Sequence, residues 1–216
     1  MSMQHHPAEE LLLDYAAGAS DEATSLILAT HLALCPQCRR TVGQAEAAGG
    51  ALLATAKPEA LSSGALESVL ARLSDTVTEP AAPKLTAIGK AEAPEPLRSY
   101  IGGDLDSVKW RRIAGGISYA DLPVRGKSKA RLIRSEPGAG VGVHSHKGNE
   151  LTLCLTGGYT DVTGTYARGD VQTTDPTVEH RPLADPEGPC ITLGVTDAPL
   201  VFRSRIIGLL AKVFGF

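Results

Sequence analysis

The sequence predicts a two-part chain of class α plus all-β, a small helical unit followed by a β domain. Three observations carry this. Apolar residues recur at helical spacing from Pro7 to about Val77, residues 79–97 are rich in proline and alanine, and beyond them short alternating runs are broken by Gly, Pro and Asp about every ten residues. The 216 residues suffice for two small domains, since single domains most often hold roughly 100–150 residues.

In the first part, Ala23, Leu26, Ile27, Thr30 and Leu34 share one helical face, and Leu66, Val69, Leu70, Leu73 and Val77 share another. Three or four helices are expected over residues 1–78. Gly18 closes the first of them, and Ser20 is placed as the N-cap of the next, with Asp21 and Glu22 in its first turn. The segment EPAAPKLTAIGKAEAPEPL, residues 79–97, carries Pro80, Pro83, Pro94 and Pro96 and is expected to be an extended, poorly ordered linker. From residue 98 to 216 the runs ARLIRS, ELTLCL and CITLGV read as strands. The last stretch, IIGLLAKVFGF from Ile206, reads as an apolar helix that packs on the β domain or on a second copy, which would give self-association. It is too short to span a bilayer.

Composition excludes several classes of function. Hydrophobic residues make up 43% and charged residues 21%, ordinary for a folded globular protein. No apolar run approaches a membrane span, and MSMQHHPAEELL has neither a basic n-region nor an apolar h-region, so a cytoplasmic protein with no membrane partner is expected. Residues 1–78 carry four Lys or Arg against nine Asp or Glu. This acidic balance argues against direct nucleic-acid binding, which is built on cations neutralising phosphates, and suits a basic protein partner. Four cysteines in an unexported chain are metal ligands or reduced thiols rather than a disulfide framework.

The string HLALCPQC places His31, Cys35 and Cys38 at i, i+4 and i+7. A helix ending near Cys35 aims the first two the same way, and Pro36 fits the first position of a new helix. Two thiolates with an imidazole suit tetrahedral zinc, which needs a fourth ligand; His5 and His6, just ahead of the first helix, are both candidates. A DNA-reading zinc finger is disfavoured, because no basic helix follows the cysteines. On its HxxxCxxC motif and upstream histidine, this part resembles the zinc-binding anti-sigma domain. The resemblance implies zinc held by His6, His31, Cys35 and Cys38, and helices that cradle a sigma factor.

From Gly138 the chain reads GAGVGVHSHKGNELTLCLTG, which matches the first cupin motif at every fixed position. Alternate strand residues share a face, so His144 and His146 point together into a barrel, with Glu150 facing them after a short turn. The second cupin motif survives only in spacing: Gly169 is followed by His180, while Asp175, Thr177 and Ala184 replace its usual Pro, Gly and Asn. Three imidazoles and a carboxylate suit zinc or another divalent metal such as iron, manganese or nickel. Five of the six histidines are thereby assigned to the two sites. Cys154 shares strand parity with Glu150 and is expected to point inward near that metal, and Cys190 begins a later strand. Either thiol is a candidate oxidation target, against the plainer reading of a buried cysteine as a small hydrophobe.

The order of parts, a helical anti-sigma domain joined through a linker to one cupin β-barrel, resembles the ChrR-like anti-sigma factors over nearly the whole chain. The resemblance implies an extracytoplasmic-function sigma factor as partner, held inactive by the zinc domain and released through the cupin half when singlet oxygen or a related oxidant appears, so regulating transcription. A non-enzymatic role, without catalytic residues, follows from it. The alternatives are a metal-dependent cupin enzyme, a dioxygenase or isomerase with a regulatory N-terminal domain, and a metal-storage or zinc-sensing module with no protein partner.

Overall fold

The computed structural model describes residues 3–73 and 92–203. Four helices form the N-terminal part: α1 (Glu9–Ala16), α2 (Glu22–Leu34), α3 (Pro36–Thr55) and α4 (Ala65–Arg72). Past the end of α1 the chain reverses at Gly18, whose φ of 68° lies in the left-handed region that glycine enters at no steric cost. The cap of α2 is Asp21, not Ser20. Its carboxylate accepts from the Thr24 amide at 2.9 Å while the hydroxyl of Ser128, from the β domain, donates to its other oxygen. That long-range partner decides between two neighbouring cap formers. α2 runs to Leu34, Cys35 adopts an extended backbone, and Pro36 opens α3 as its first residue, where a missing N–H costs nothing.

α2 is buried nearly all round, through Ala23, Leu26, Ile27, Leu28, Thr30, His31 and Leu32. A helix of that kind sits inside a structure rather than on it, and α2 packs against α1, α3, a fifth helix α5 (Glu95–Ile101) and two strands of the β domain. The start of α5 falls within the stretch expected to be an extended linker. Pro94 is its N-cap and Pro96 sits in its first turn, where proline's fixed φ is already helical, and Ala93 and Leu97 are buried beside α2. Residues 74–91, most of that stretch, lie outside the described residues.

The β domain has eleven strands among the described residues. β1 (Arg111–Arg112), β2 (Ile117–Asp121), β3 (Lys129–Ser135), β10 (Cys190–Thr196), β5 (Glu150–Thr156) and β8 (Val171–Thr174) form one antiparallel sheet in the order β1-β2-β3-β10-β5-β8. β4 (His144–His146) pairs with β11 (Leu200–Phe202), and β6 (Gly158–Asp161) lies between β7 (Gly164–Ala167) and β9 (Leu183–Ala184). The runs expected as strands are β3, β5 and β10, adjacent in the large sheet. The C-terminal stretch from Ile206 lies outside the described residues. No described helix is long and apolar enough to cross a membrane.

Register explains how helices and sheet join. Leu132, Leu193 and Leu153 pair in one row across β3, β10 and β5, and all three are fully buried. They belong to the same apolar cluster as Leu26, Ile27 and Leu28 of α2. One face of the large sheet is therefore roofed by helices. Residues of the opposite parity, Arg131, Thr152 and Thr192 with Glu150, face the barrel interior. Strands covered on both sides carry apolar residues in near-continuous runs, as ELTLCL and CITLGV do. At about 1.5–3 kcal/mol for each large aliphatic side chain withdrawn from water, this shared layer ties the two parts into one core.

Candidate functional site

The first cluster forms where α2 meets α3. The bend at Cys35 brings its thiol and that of Cys38 together, with the Cys38 amide donating to Cys35 Sγ at 3.4 Å. His31, one turn back on α2, places Nε2 3.3 Å from Cys38 Sγ, and the N-terminal segment brings His6 Nδ1 to 3.5 Å from Cys35 Sγ and 3.3 Å from Cys38 Sγ. A tetrahedron of Zn–N and Zn–S bonds has edges of roughly 3.3–3.8 Å. His6, not His5, completes the group; the ring of His5 lies against Tyr166 at 4.5 Å.

Hydrogen bonding prepares this cluster for a cation. The Gly169 carbonyl lies 2.8 Å from His31 Nδ1 and so holds the ring proton there, leaving the lone pair on Nε2 facing the thiols. Burial pushes the His31 imidazole below its ordinary value, keeping it neutral and able to ligate. Burial and the neighbouring Cys35 push the Cys38 thiol up to about 12, so the protein alone disfavours a thiolate pair. A bound metal reverses that balance, since coordination deprotonates a thiol outright.

The second cluster lies inside the barrel. β4 carries His144 and His146 on one face, β5 begins with Glu150 opposite them, and an isolated bridge between His144 and His180 brings in the fourth residue. All four are buried and their donor atoms lie within 4.8 Å of one another. Glu150 Oε2 is 2.9 Å from His146 Nε2 and 3.7 Å from His180 Nε2. His144 Nδ1 donates to the Gly142 carbonyl at 2.7 Å and His180 Nδ1 to Asp161 at 2.6 Å. Both protons are thereby fixed on Nδ1, and the two Nε2 lone pairs face each other 3.1 Å apart. Converging lone pairs repel unless a cation lies between them. Buried His146 also has no hydrogen-bond partner at either ring nitrogen among the described residues, although Nε2 looks at Glu150. The donor set fits a divalent metal on these grounds.

Charge at this cluster is arranged the same way. Burial lowers His144 to about 4, so it is a neutral donor. Burial acts to raise Glu150, but the close His146 imidazole and the other imidazoles around it outweigh this and hold the carboxyl below its usual range. Asp161 behaves likewise: the His180 hydrogen bond, with Thr163 and Gln172, overcomes burial and keeps it well below the carboxylate range.

Sequence reasoning did not identify the supporting groups. Asp161, and the carbonyls of Gly142 and Gly169, orient the imidazoles; Gly142 and Gly169 fall within the two cupin spacings, which do not mark their carbonyls as supports, and Asp161 had no local signal. Cys154 stands apart from the ligand group. It is fully buried in a small cluster with Tyr159, Tyr166, Ala184 and Cys190, and its thiol points toward the carbonyls of Thr156 and Gly157 at 3.6 and 3.5 Å. The adjoining Cys190 thiol, together with burial, pushes it far above the ordinary thiol range.

Comparison with known proteins bears on both halves. Residues 99–198 match the family described as the ChrR cupin-like domain. Over 214 residues, 99% of this chain and 99% of the other, the sequence is 42% identical to the anti-sigma-E factor ChrR of Cereibacter sphaeroides. The crystal structure of Rhodobacter sphaeroides SigE in complex with the anti-sigma ChrR is similar with a TM-score of 0.79 and 41% identity, covering 91% of this chain and 100% of that one.

Proposed function

The chain belongs to the ChrR family of anti-sigma factors, and from that premise we propose that its helical half binds an extracytoplasmic-function sigma factor of the SigE type and holds it inactive. The observation that carries this reading is an uncovered helical arm. From Glu46 to Leu73 every residue except Ala65 is exposed. That stretch nevertheless presents Leu52, Leu53, Leu61, Leu66, Val69, Leu70 and Leu73 to solvent. Residues 66, 69, 70 and 73 share one face at i, i+3, i+4 and i+7, and no residue of α4 is buried. A contiguous apolar surface of that kind marks a protein-binding site, and the acidic balance of residues 1–78 suits a basic partner such as a transcription factor.

His6, His31, Cys35 and Cys38 would hold zinc, and His144, His146, Glu150 and His180 would hold zinc or another divalent metal. Zinc in the first site supplies a closed cross-link between the N-terminal segment and the α2–α3 bend from which the arm projects. The barrel then acts as the sensor of singlet oxygen or a related oxidant, in a cytoplasmic regulator. Its interior supports a small stimulus over an organic substrate. Two cavities adjoin Glu150, one of about 40 Å³ beside His144 and Tyr159 and one of about 110 Å³ beside Lys129 and Arg131, whereas pockets for organic ligands run from roughly 300 Å³ upward.

The test is transcription by core polymerase with a SigE-type sigma factor and the full chain. Stoichiometric addition should abolish sigma-dependent initiation. Cys35→Ser with Cys38→Ser should lose zinc and inhibition together, while Leu66→Glu with Leu70→Glu should lose inhibition and keep zinc. Undiminished transcription in the presence of the zinc-loaded chain would sink the reading.

A further inference from the structure

We propose that the barrel turn joining β7 to β8, through buried Asp170 and the carbonyl of Gly169, is the support that holds both histidine ligands of the helical site, making Asp170 a positioning residue for that site. The two cysteines belong wholly to the α2–α3 bend. The two histidines do not stand alone in this way.

His6 sits on an N-terminal segment preceding α1, and that segment is fastened to the barrel rather than to the helices. One oxygen of Asp170 accepts the amides of both Gln4, at 2.8 Å, and His5, at 3.0 Å. The next residue, Val171, donates its amide to the His5 carbonyl at 3.0 Å, so residues 4 and 5 lie against the end of β8. The ring of His5 rests on Tyr166, and the Met3 side chain crosses Gly169, where φ is +95° and no side chain stands in the way. His31 is held by the same turn, through the Gly169 carbonyl at its Nδ1. A few consecutive barrel residues thus fix the position of one imidazole and the tautomer of the other.

The turn is itself rigidly anchored. The second oxygen of Asp170 accepts the Ala167 amide at 2.9 Å, closing the turn on itself. Gly169 donates to the Cys154 carbonyl at 2.8 Å, and the Cys154 amide donates to the Asp170 carbonyl at 3.0 Å. Cys154 lies on β5, the strand that begins with Glu150, and Thr174, at the far end of β8, pairs with Glu150. A shift of β5 against β8 would therefore move the turn, and with it the contacts it makes to the N-terminal segment and to His31. Outer groups that orient metal-ligating histidines commonly change metal affinity 10- to 100-fold when removed.

This rests on the metal reading of the helical site and not on the sigma partner, so it is tested without one. The full chain is loaded with cobalt(II), whose near-ultraviolet thiolate charge-transfer band can arise only at the helical site, because the barrel site has no thiolate. Decay of the band is then followed after adding a chelator. Asp170→Ala should speed the decay about tenfold or more. Gln4→Pro, which removes one of the two amides from the other side of the contact and leaves the barrel sequence intact, should speed it several-fold. The double variant should decay no faster than Asp170→Ala, since both act through one contact. Wild-type decay in both single variants, or additive effects in the double, would overturn the proposal. Should Asp170→Ala fail to fold, Gln4→Pro decides alone. The absence of any charge-transfer band in the wild type would instead defeat the metal reading itself.

Discussion

The two histidine-containing clusters differ in their donors, two thiols with two imidazoles against three imidazoles with a carboxylate, and they are assembled in opposite ways. The barrel cluster is self-contained: three of its four residues fall within seven positions across β4 and β5, and its supports, Gly142 and Asp161, belong to the same domain. The helical cluster is divided, with thiols set by one helix junction, while His31 bonds to Gly169 and the segment preceding His6 bonds to Asp170, each more than 130 residues away. The difference teaches that the helical part is not a free module hung on a linker. Its apolar face and half of its ligand geometry are completed by the barrel.

The largest effect that would break this comparison lies in the shared core. Leu193 is fully buried on the sheet face that α2 covers. Leu193→Ala should cost about 2–5 kcal/mol and lower the melting temperature of helices and strands together, in one transition by calorimetry and circular dichroism. Two separate transitions, with the helical one unmoved, would show that the halves are independent after all. A smaller effect sharpens the contrast between the sites. Asp161→Asn should weaken metal at the barrel about 10- to 100-fold while leaving the cobalt–thiolate band of the helical site unchanged, measured by competition with a chelator.

The smallest effect concerns the cap that joins α2 to the barrel. Burial acts to raise the Asp21 carboxyl, but hydrogen bonds from Ser128 and Thr24 prevail and hold it below its ordinary value. Its folded pKa is therefore depressed. Its contribution is complete above the unfolded value of about 3.9 and is lost as pH falls below that toward the folded one. Asp21→Ala should cost about 1 kcal/mol or less at pH 7, since the residue faces water. That difference should be smaller at pH 3 than at pH 7. A cost that stays constant with pH, from denaturant titrations at both values, would assign the effect to something other than the ionised cap.

Most of each of the two clusters that the structure brings together was legible because the spacing is a local property: HxxxCxxC places its members on one helix end, and His-x-His uses strand parity. The choice of His6 over His5 came from family resemblance, and the structure places His6 beside the thiols. The supports were not legible, since nothing near Asp161 or Asp170 marks them among the other aspartates. Ser20 and Asp21 are both good caps, and only Ser128, 107 residues from Asp21, separates them. The prolines at 94 and 96 read as linker although proline in a first turn also starts a helix. The docking of the halves did leave a trace: CITLGV and ELTLCL lack the clean polar alternation of a strand with one wet face.

The exposed arm from Glu46 to Leu73 has a consequence for how many copies a cell can keep. A long apolar surface is harmless while a partner covers it, but on an unoccupied chain it is an invitation to proteases and a nucleus for aggregation. Chains made in excess of their partner would be the ones degraded or trapped. The abundance of the inhibitor would then track that of the protein it inhibits, and the ratio of the two would be set by turnover as much as by synthesis.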